Sequence, residues 1–149
     1  AWYRDIYRRI GENWLWFSRA IMPDADLEAL LRAPGCEILA LEASGETVGL
    51  VETDFSVPGE VEIVTFGVVP TMTGTGAARM LMEAALRHVF RPGVRRVWLH
   101  TCSFDHPAAV KFYTARGFSA YKFAIEISDD PRRAGFLPES AAPHVPFIR

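Results

Sequence analysis

Two glycines that open a long helical pattern are the residues of this chain best suited to chemistry. A run rich in β-branched residues ends at Pro70, and the segment 73–78, TGTGAA, follows it and begins an amphipathic pattern. The first N–H groups of a helix have no intrahelical partner, and the helix dipole adds positive potential at the same end. We therefore predict that this loop binds a phosphate or pyrophosphate, mainly through backbone N–H groups.

The surrounding sequence predicts the elements that position this loop. Helices are predicted at 2–10, about 24–32, 75–91 and about 106–116, and strands at 36–43, 46–55, 60–69, 94–101 and 118–127. Asp24 or Asp26 should cap the second helix, Asp105 should cap the fourth, and Gly117 should end it in the left-handed conformation. A helix after the third strand and another after the fourth predict a βαβ crossover. Those two strands should therefore be parallel within a mixed sheet.

The whole chain, residues 1–149, is predicted to form a single α/β domain. Ser44-Gly45 predicts a tight hairpin between the first two strands. The tail at 128–149 holds four of the ten prolines, so it should be irregular, although its apolar side chains should pack on something. The tail can cover the cleft or reach a second subunit, so a homodimer is one alternative.

Length and composition exclude several classes of function. The 149 residues carry a net charge of −2, so the chain lacks the basic character expected of a nucleic-acid-binding protein. No apolar run approaches the roughly 20 residues that span a bilayer, so no membrane association is predicted. Cys36 and Cys102 are too few for a disulfide framework, and we predict a cytoplasmic protein.

Two segments resemble motifs of one enzyme superfamily. Segment 73–78 resembles the acetyl-CoA pyrophosphate loop of the GNAT N-acetyltransferases, Q/R-x-x-G-x-G/A, with Thr73 at the Arg/Gln position. Segment 106–118, HPAAVKFYTARGF, resembles their second signature, N-x-x-A-x-x-(L/F)-Y-x-x-x-G-F, with His106 at the Asn position. The two segments occur along the chain in the same order as the two motifs do in the family. The resemblance implies an α/β fold with a mixed sheet flanked by helices and a central βαβ acetyl-CoA-binding unit.

Two other interpretations of the glycine loop stay open. A Rossmann dinucleotide site also has glycines that open a helix after a strand. Here, however, three residues separate Pro70 from Gly74, and no acidic residue follows about 20 positions later at a strand end. The second interpretation is a glycine turn that only introduces a structural helix.

The resemblance implies that a substrate amine attacks the acetyl-CoA thioester. An amine with a lysine-like pKa near 10.4 must first lose a proton, which costs about 4.6 kcal/mol at pH 7. Glu62 occupies the strand position where several family members keep a catalytic glutamate, and Glu52 is the reserve base. Strand alternation predicts that Glu62, Phe66 and Val68 lie on one face of the sheet.

Further site residues follow from the same resemblance. Tyr113 occupies the position of the acid that protonates the leaving thiolate, although it also fits a core aromatic residue. The N–H of Val68 should stabilise the oxyanion, where family strands splay to admit pantetheine. The residues implied to contact acetyl-CoA are Phe66, Val68, Val69, Thr73, Gly74, Thr75, Gly76, Ala77, Ala78, Arg79, His106, Ala109 and Phe112.

The acceptor site is less well specified. Trp14, Trp16 and Glu52 are the candidate substrate-binding residues, although core packing is an equal alternative for the tryptophans. His100, Cys102 and His106 do not complete a zinc site, so no metal is predicted. We predict N-acetylation of a small-molecule or amino-acid-like amine by direct attack in a ternary complex. The alternatives are a non-catalytic acyl-CoA sensor and an enzyme that acetylates a peptide or protein amine.

Overall fold

A four-stranded mixed sheet forms the centre of the computed structural model, which describes residues 2–148. The strands lie in the order β1-β2-β3-β4, antiparallel except for the parallel pair β3 and β4. The elements are α1 (Trp2–Gly11), α2 (Ser18–Ile21), α3 (Asp24–Leu31), β1 (Cys36–Ala43), β2 (Glu46–Asp54), β3 (Glu60–Val68), α4 (Ala77–Val89), β4 (Arg96–Leu99) and α5 (Ala109–Thr114).

The β3–α4–β4 crossover and the first hairpin confirm two predictions from sequence. Ser44 and Gly45 have φ values of +52° and +82°, as a tight hairpin between twisted strands requires. The parallel pairing of β3 and β4 places α4 across the sheet. The elements that carry the glycine loop are therefore those that the sequence predicted.

Each face of the sheet is covered by a different helix. On one side, which we name the α1 face, Leu50 packs with Ile6 and Ile10 of α1. On the other, the α4 face, Val51 and Ile63 pack with residues of α4. These two clusters hold the strands that carry the candidate site.

A β-bulge in β3 contradicts the predicted alternation of side chains. Glu52 pairs with Thr65, but Thr53 pairs with Ile63, so Val64 is an extra residue in the ladder. The bulge puts Ile63 and Phe66 on the same α4 face, whereas Glu62 lies on the α1 face. The prediction that Glu62 shares a face with Phe66 and Val68 is therefore wrong. The inserted residue shifts the alternation of side chains by one position, so residues before and after the bulge no longer follow a single pattern.

Several predicted helix ends and caps differ from the structure. Neither Asp24 nor Asp26 caps α3, which follows Pro23, and Asp24 instead forms an ion pair with Arg4 at 2.7 Å. Asp105 does not cap α5 either, because its carboxylate accepts hydrogen bonds from loop residues that precede the helix. Gly117 has the predicted left-handed φ of +91°.

The fifth predicted strand, at 118–127, is absent from the structure. Residues 119–129 are exposed and belong to no helix or strand. A strand is stabilised by backbone hydrogen bonds to a neighbour, and this segment has no such neighbour within the described residues 2–148. The predicted fourth strand, 94–101, is also shorter, because β4 spans only Arg96–Leu99.

The proline-rich tail folds around a buried arginine. Arg132 is 4 % exposed and donates hydrogen bonds to the carbonyls of Ala141, Val145 and Pro146. The carboxylate of Asp130 binds the same guanidinium at 2.7 Å, which lowers the pKa of that carboxyl. The tail contains neither a helix nor a strand within residues 128–148, yet it packs on its own chain.

Candidate active site

The loop between β3 and α4 leaves open space beside its backbone. Gly74 and Gly76 have φ values of +79° and +91°, which residues with a Cβ disfavour. A Cβ at either position would have no neighbouring atom within 4 Å. The glycines are therefore required by backbone conformation rather than by protein packing, and a ligand can approach this backbone closely.

Donor groups of the same loop point to an anion site. Thr75 Oγ1 donates to the Met72 carbonyl at 2.7 Å and accepts the Ala77 N–H at 3.3 Å, which fixes the turn. The N–H groups of Ala78 and Arg79 have no hydrogen-bond acceptor among residues 2–148. These donors lie at the positive end of the 13-residue helix α4, an arrangement that favours phosphate.

The strands β3 and β4 separate just before this loop. They pair only from Glu60–Arg96 to Ile63–Leu99, while β3 continues to Val68. The Val69 N–H donates to the Val48 carbonyl of β2, so backbone alternation turns the N–H of Val68 towards the open edge. The predicted donor at Val68 thus faces the gap, but the N–H of Val69 is occupied.

An aromatic group on the α4 face joins three of the predicted residues. Phe66 stacks on Phe112 with centroids 5.6 Å apart, and Tyr113 meets Phe66 edge-on at 6.2 Å. Burial, with a smaller contribution from the charge of Asp105, raises the pKa of Tyr113 above its usual value. The phenol is therefore protonated at neutral pH, as a proton donor must be, but the raised pKa also makes it a weaker acid than an exposed tyrosine.

Glu62 is paired with a histidine on the α1 face. Its Oε1 lies 3.1 Å from His100 Nδ1, and the two side chains are 22 % and 71 % exposed. His100 is the first residue after β4, so the point where the strands separate places it beside Glu62. Among residues 2–148 the hydrogen-bond partner of Glu62 is His100, and no hydrogen bond joins Glu62 to Tyr113, Trp14 or Trp16.

Glu52 is a buried member of an ionic network. It is 2 % exposed, binds Arg19 of α2 at 2.7 Å and accepts a hydrogen bond from the Tyr3 hydroxyl of α1. Both carboxylate oxygens of Glu52 therefore have partners. This geometry favours a structural role, in which Glu52 joins α1 and α2 to β2, over the role of a reserve base. Burial, followed by the charge of Glu52, raises the pKa of Tyr3.

The raised pKa of Tyr3 predicts that the free energy of unfolding falls at alkaline pH. A phenol whose pKa is raised on folding contributes stability that is present below its unfolded pKa and is lost as pH rises above about 10. Tyr3→Phe should make the urea midpoint less dependent on pH above that value. An unchanged alkaline slope would show that the hydroxyl of Tyr3 is not linked to stability.

The two tryptophans lie beside the loop that precedes α5. The ring of Trp14 lies against the rings of His106 and His144, with ring centroids 5.3 Å apart in each pair. Trp16 Nε1 donates a hydrogen bond to Asp105 Oδ1 at 3.5 Å. The structure thus brings two of the predicted acceptor residues, Trp14 and Trp16, close to the loop of the predicted cofactor residue His106 and to the tail. The third, Glu52, lies instead with Arg19 and Tyr3. His106 Nδ1 accepts the Ala108 N–H at 3.0 Å and so helps to start α5.

Sequence reasoning missed two residues of these networks. The sequence suggests His100 only as a metal ligand, and nothing in it indicates the pairing with Glu62. Arg19 lies in an aromatic and basic stretch, which signals an unusual segment but not a partner for Glu52. No group of three or more metal-binding side chains occurs among the described residues 2–148.

A known protein family shares this arrangement of elements and motifs. The family model of the acetyltransferase (GNAT) family matches residues 3–118. The chain belongs to this family. The four-stranded sheet with its flanking helices is the GNAT fold, and the match includes both the glycine loop and the α5 motif. Comparison with curated protein sequences gave no match.

Several solved structures are similar to this chain in fold. The aminoglycoside N-acetyltransferase AAC(6')-Iy, in complex with a bisubstrate analogue, has 22% identity and a TM-score of 0.64, with 85% of this chain and 88% of that chain covered. An aminoglycoside acetyltransferase from an uncultured soil metagenomic sample has 15% identity and a TM-score of 0.68, with 85% and 86% covered. A transcriptional regulator from Bacillus halodurans C-125 has 17% identity and a TM-score of 0.61, with 70% and 73% covered.

Among residues 2–148, every helix is too short or too polar to cross a lipid bilayer.

Proposed function

We propose that this GNAT protein is an acetyl-CoA-dependent N-acetyltransferase that acts on a primary amine of a small molecule. The observation that carries the proposal is the glycine loop, whose unpaired N–H groups lie next to the open edge of β3. The loop offers donors for a pyrophosphate, and the open edge offers the N–H of Val68 for the polarised thioester carbonyl. Acetyl-CoA carries both groups on one molecule.

The proposal depends first on the glycine loop, and Gly76→Ala tests it. The φ of +91° at position 76 strains any residue with a Cβ, so the loop should lose the conformation that presents its donors. We expect affinity for CoA to fall by about tenfold, equivalent to about 1.4 kcal/mol. Isothermal titration calorimetry of the purified protein with acetyl-CoA measures this affinity.

A matched control separates cofactor binding from backbone strain. Gly93 has a φ of +94°, lies in the turn after α4, and would have no atom within 4 Å of an added Cβ. Gly93→Ala should therefore carry the same strain and leave CoA affinity unchanged. Equal effects of the two substitutions, or no effect at position 76, would remove the phosphate-loop assignment.

Two side chains are proposed to move protons in the reaction. Glu62 accepts a proton from the substrate ammonium through Oε2, and the free amine then attacks the thioester carbonyl, while His100 Nδ1 holds Oε1 and positions the carboxylate. Tyr113 donates its proton to the departing thiolate. No acetylated residue is required, since the amine can attack the thioester directly in a ternary complex.

Tyr113→Phe should lower turnover by about 10²-fold, the lower end of the usual range for acid catalysis. Acetyl-CoA affinity should survive because the ring remains against Phe66. Tyr7→Phe is the control: it also removes a tyrosine hydroxyl but leaves the ring against Trp16, and that hydroxyl lies 3.3 Å from Ser18 Oγ in the α1 cluster. Thiol release under saturating substrates measures both, and full activity of Tyr113→Phe would assign the tyrosine to the core alone.

The first acceptors to test follow from the solved neighbours. AAC(6')-Iy and the metagenomic enzyme are aminoglycoside acetyltransferases, so aminoglycosides are the first probes and amino acids the second. The indole rings of Trp14 and Trp16 suit an amine that is attached to a ring or an apolar group. Amine-dependent thiol release from acetyl-CoA identifies a substrate, and a lysine-containing peptide tests the alternative of protein acetylation.

A second candidate function is a non-catalytic acyl-CoA sensor. Thr73 offers the phosphates no positive charge, and Arg79 lies 3.9 Å from Glu83, which competes for its guanidinium. A sensor would bind CoA without amine-dependent thiol release, and Glu62→Gln would leave its function intact. Turnover with any amine that depends on Glu62 would decide against it.

A further inference from the structure

The tail forms a compact unit with internal contacts of its own. Its backbone hydrogen bonds join tail residues to one another, for example Arg133 to Asp130 and Val145 to Ala142. The buried guanidinium of Arg132 binds three carbonyls of the same segment. Movement of the whole unit would leave these hydrogen bonds intact, so the tail can leave the rest of the protein without unfolding.

Ring contacts dock the tail on the segment that follows α1. The imidazole of His144 lies against the indole of Trp14, with centroids 5.3 Å apart and planes inclined by 57°. Phe136 stacks on Phe17, with centroids 6.0 Å apart. His144 Nε2 also lies 3.4 Å from the carbonyl oxygen of Phe104, which is long for a hydrogen bond. Each aromatic pair strengthens an association by only about two- to tenfold, so this docking is weak enough to be reversible.

The docked tail lies on a residue of the candidate acceptor site. Trp14 is a candidate substrate-binding residue, and its ring also meets His106, in the loop that leads to α5. An indole ring attracts cations to its face and the edges of other aromatic rings. The imidazole of His144 therefore makes with Trp14 the kind of contact that a cationic or aromatic amine would make. The tail and such an amine would compete for the same ring.

We propose that the tail is a displaceable cover of the acceptor site, in which His144 occupies the ring of Trp14 until a cationic or aromatic amine replaces it. Phe136 on Phe17 provides the second contact of the closed state. This role of the tail rests on the proposed function, because Trp14 belongs to an acceptor site only if the protein acetylates amines. The closed state lowers the fraction of the protein that is competent to bind an amine, and so it weakens the apparent affinity.

Weakening the docked state should improve the affinity for the amine. His144→Ala is expected to lower the KM of the amine by about fivefold, equivalent to about 1 kcal/mol, because more of the protein is then open. Phe136→Ala should change this KM in the same direction. In both variants kcat and the affinity for acetyl-CoA should stay the same, since a saturating amine displaces the tail in any case. Ile148→Ala, which shortens another exposed side chain of the tail, is the control that should leave KM unchanged.

A second measurement detects the docked tail without any turnover. The full chain labelled with 5-fluorotryptophan gives a fluorine NMR resonance for each tryptophan, and Trp14→Phe identifies the one that belongs to Trp14. His144→Ala should shift this resonance in the absence of amine and acetyl-CoA, because the imidazole no longer lies against the indole. Ile148→Ala should leave it in place.

Three results would overturn the proposed cover. The first is a Trp14 resonance that His144→Ala does not move, which would mean that the tail does not rest on this ring in solution. The second is a higher KM of the amine in His144→Ala, since the tail would then be a wall that helps to bind the acceptor. The third is a KM that neither His144→Ala nor Phe136→Ala changes.

Failure of the proposed function would give a different result. Thiol release would then be absent with every amine, in the parent chain and in the tail variants alike, whereas the fluorine resonance would still report whether the tail docks. Melting temperatures equal to that of the parent chain would exclude misfolding, because His144 and Phe136 are both exposed.

Discussion

Glu62→Gln is expected to lower turnover by about 10²- to 10⁴-fold at neutral pH, the usual contribution of a general base. Glutamine keeps the shape of the side chain and can still bind His100, but it cannot accept a proton from the ammonium. The loss should shrink as pH approaches the pKa of the amine, near 10.4 for a lysine-like substrate, because the amine then deprotonates without help. Thiol release across this pH range, with the best amine from the screen, measures the effect.

Two histidines provide the control for this result. His100→Ala should lower turnover by about tenfold, and His100→Asn should recover part of that loss, because asparagine can still donate to Glu62 Oε1. His88 forms a similar pair with Glu37 at 2.5 Å, remote from the proposed site, so His88→Asn should leave turnover unchanged. A loss in Glu62→Gln that is uniform at all pH values would indicate a structural glutamate instead of a base.

The largest effect on stability is expected from Arg19→Met. The substitution leaves the carboxylate of Glu52 buried without its cation, a change that typically costs about 3–5 kcal/mol. Because Arg19 retains some exposure, we expect the lower end of that range. Urea unfolding at pH 7 measures the loss directly.

A double-mutant cycle shows whether the loss belongs to the pair. Glu52→Gln alone should cost less, since Arg19 can turn its charge towards solvent while glutamine keeps a partner in Tyr3. Adding Glu52→Gln to Arg19→Met should recover stability, because the double variant leaves no buried charge unpaired. Additive losses would mean that the two side chains do not interact in solution.

The sequence was most informative where the physics is local. Ser44-Gly45 predicted a hairpin because both residues must adopt positive φ, and the glycines at 74 and 76 predicted the start of α4 for the same reason. The parallel pairing of β3 and β4 followed from the helix between them. These features depend on the chain immediately around each residue, so they can be derived without knowing the rest of the fold.

Tertiary structure decided how the candidate site is arranged. The bulge at Val64 moves Glu62 to the α1 face, and the early end of β4 brings His100 beside it. Glu52, a candidate base from the sequence, is buried in the structure and paired with Arg19. Residues 119–129 have a strand pattern but no neighbouring strand within the described part of the chain. Each of these outcomes depends on pairing or burial between residues far apart in sequence, and such contacts are set only when the whole chain packs.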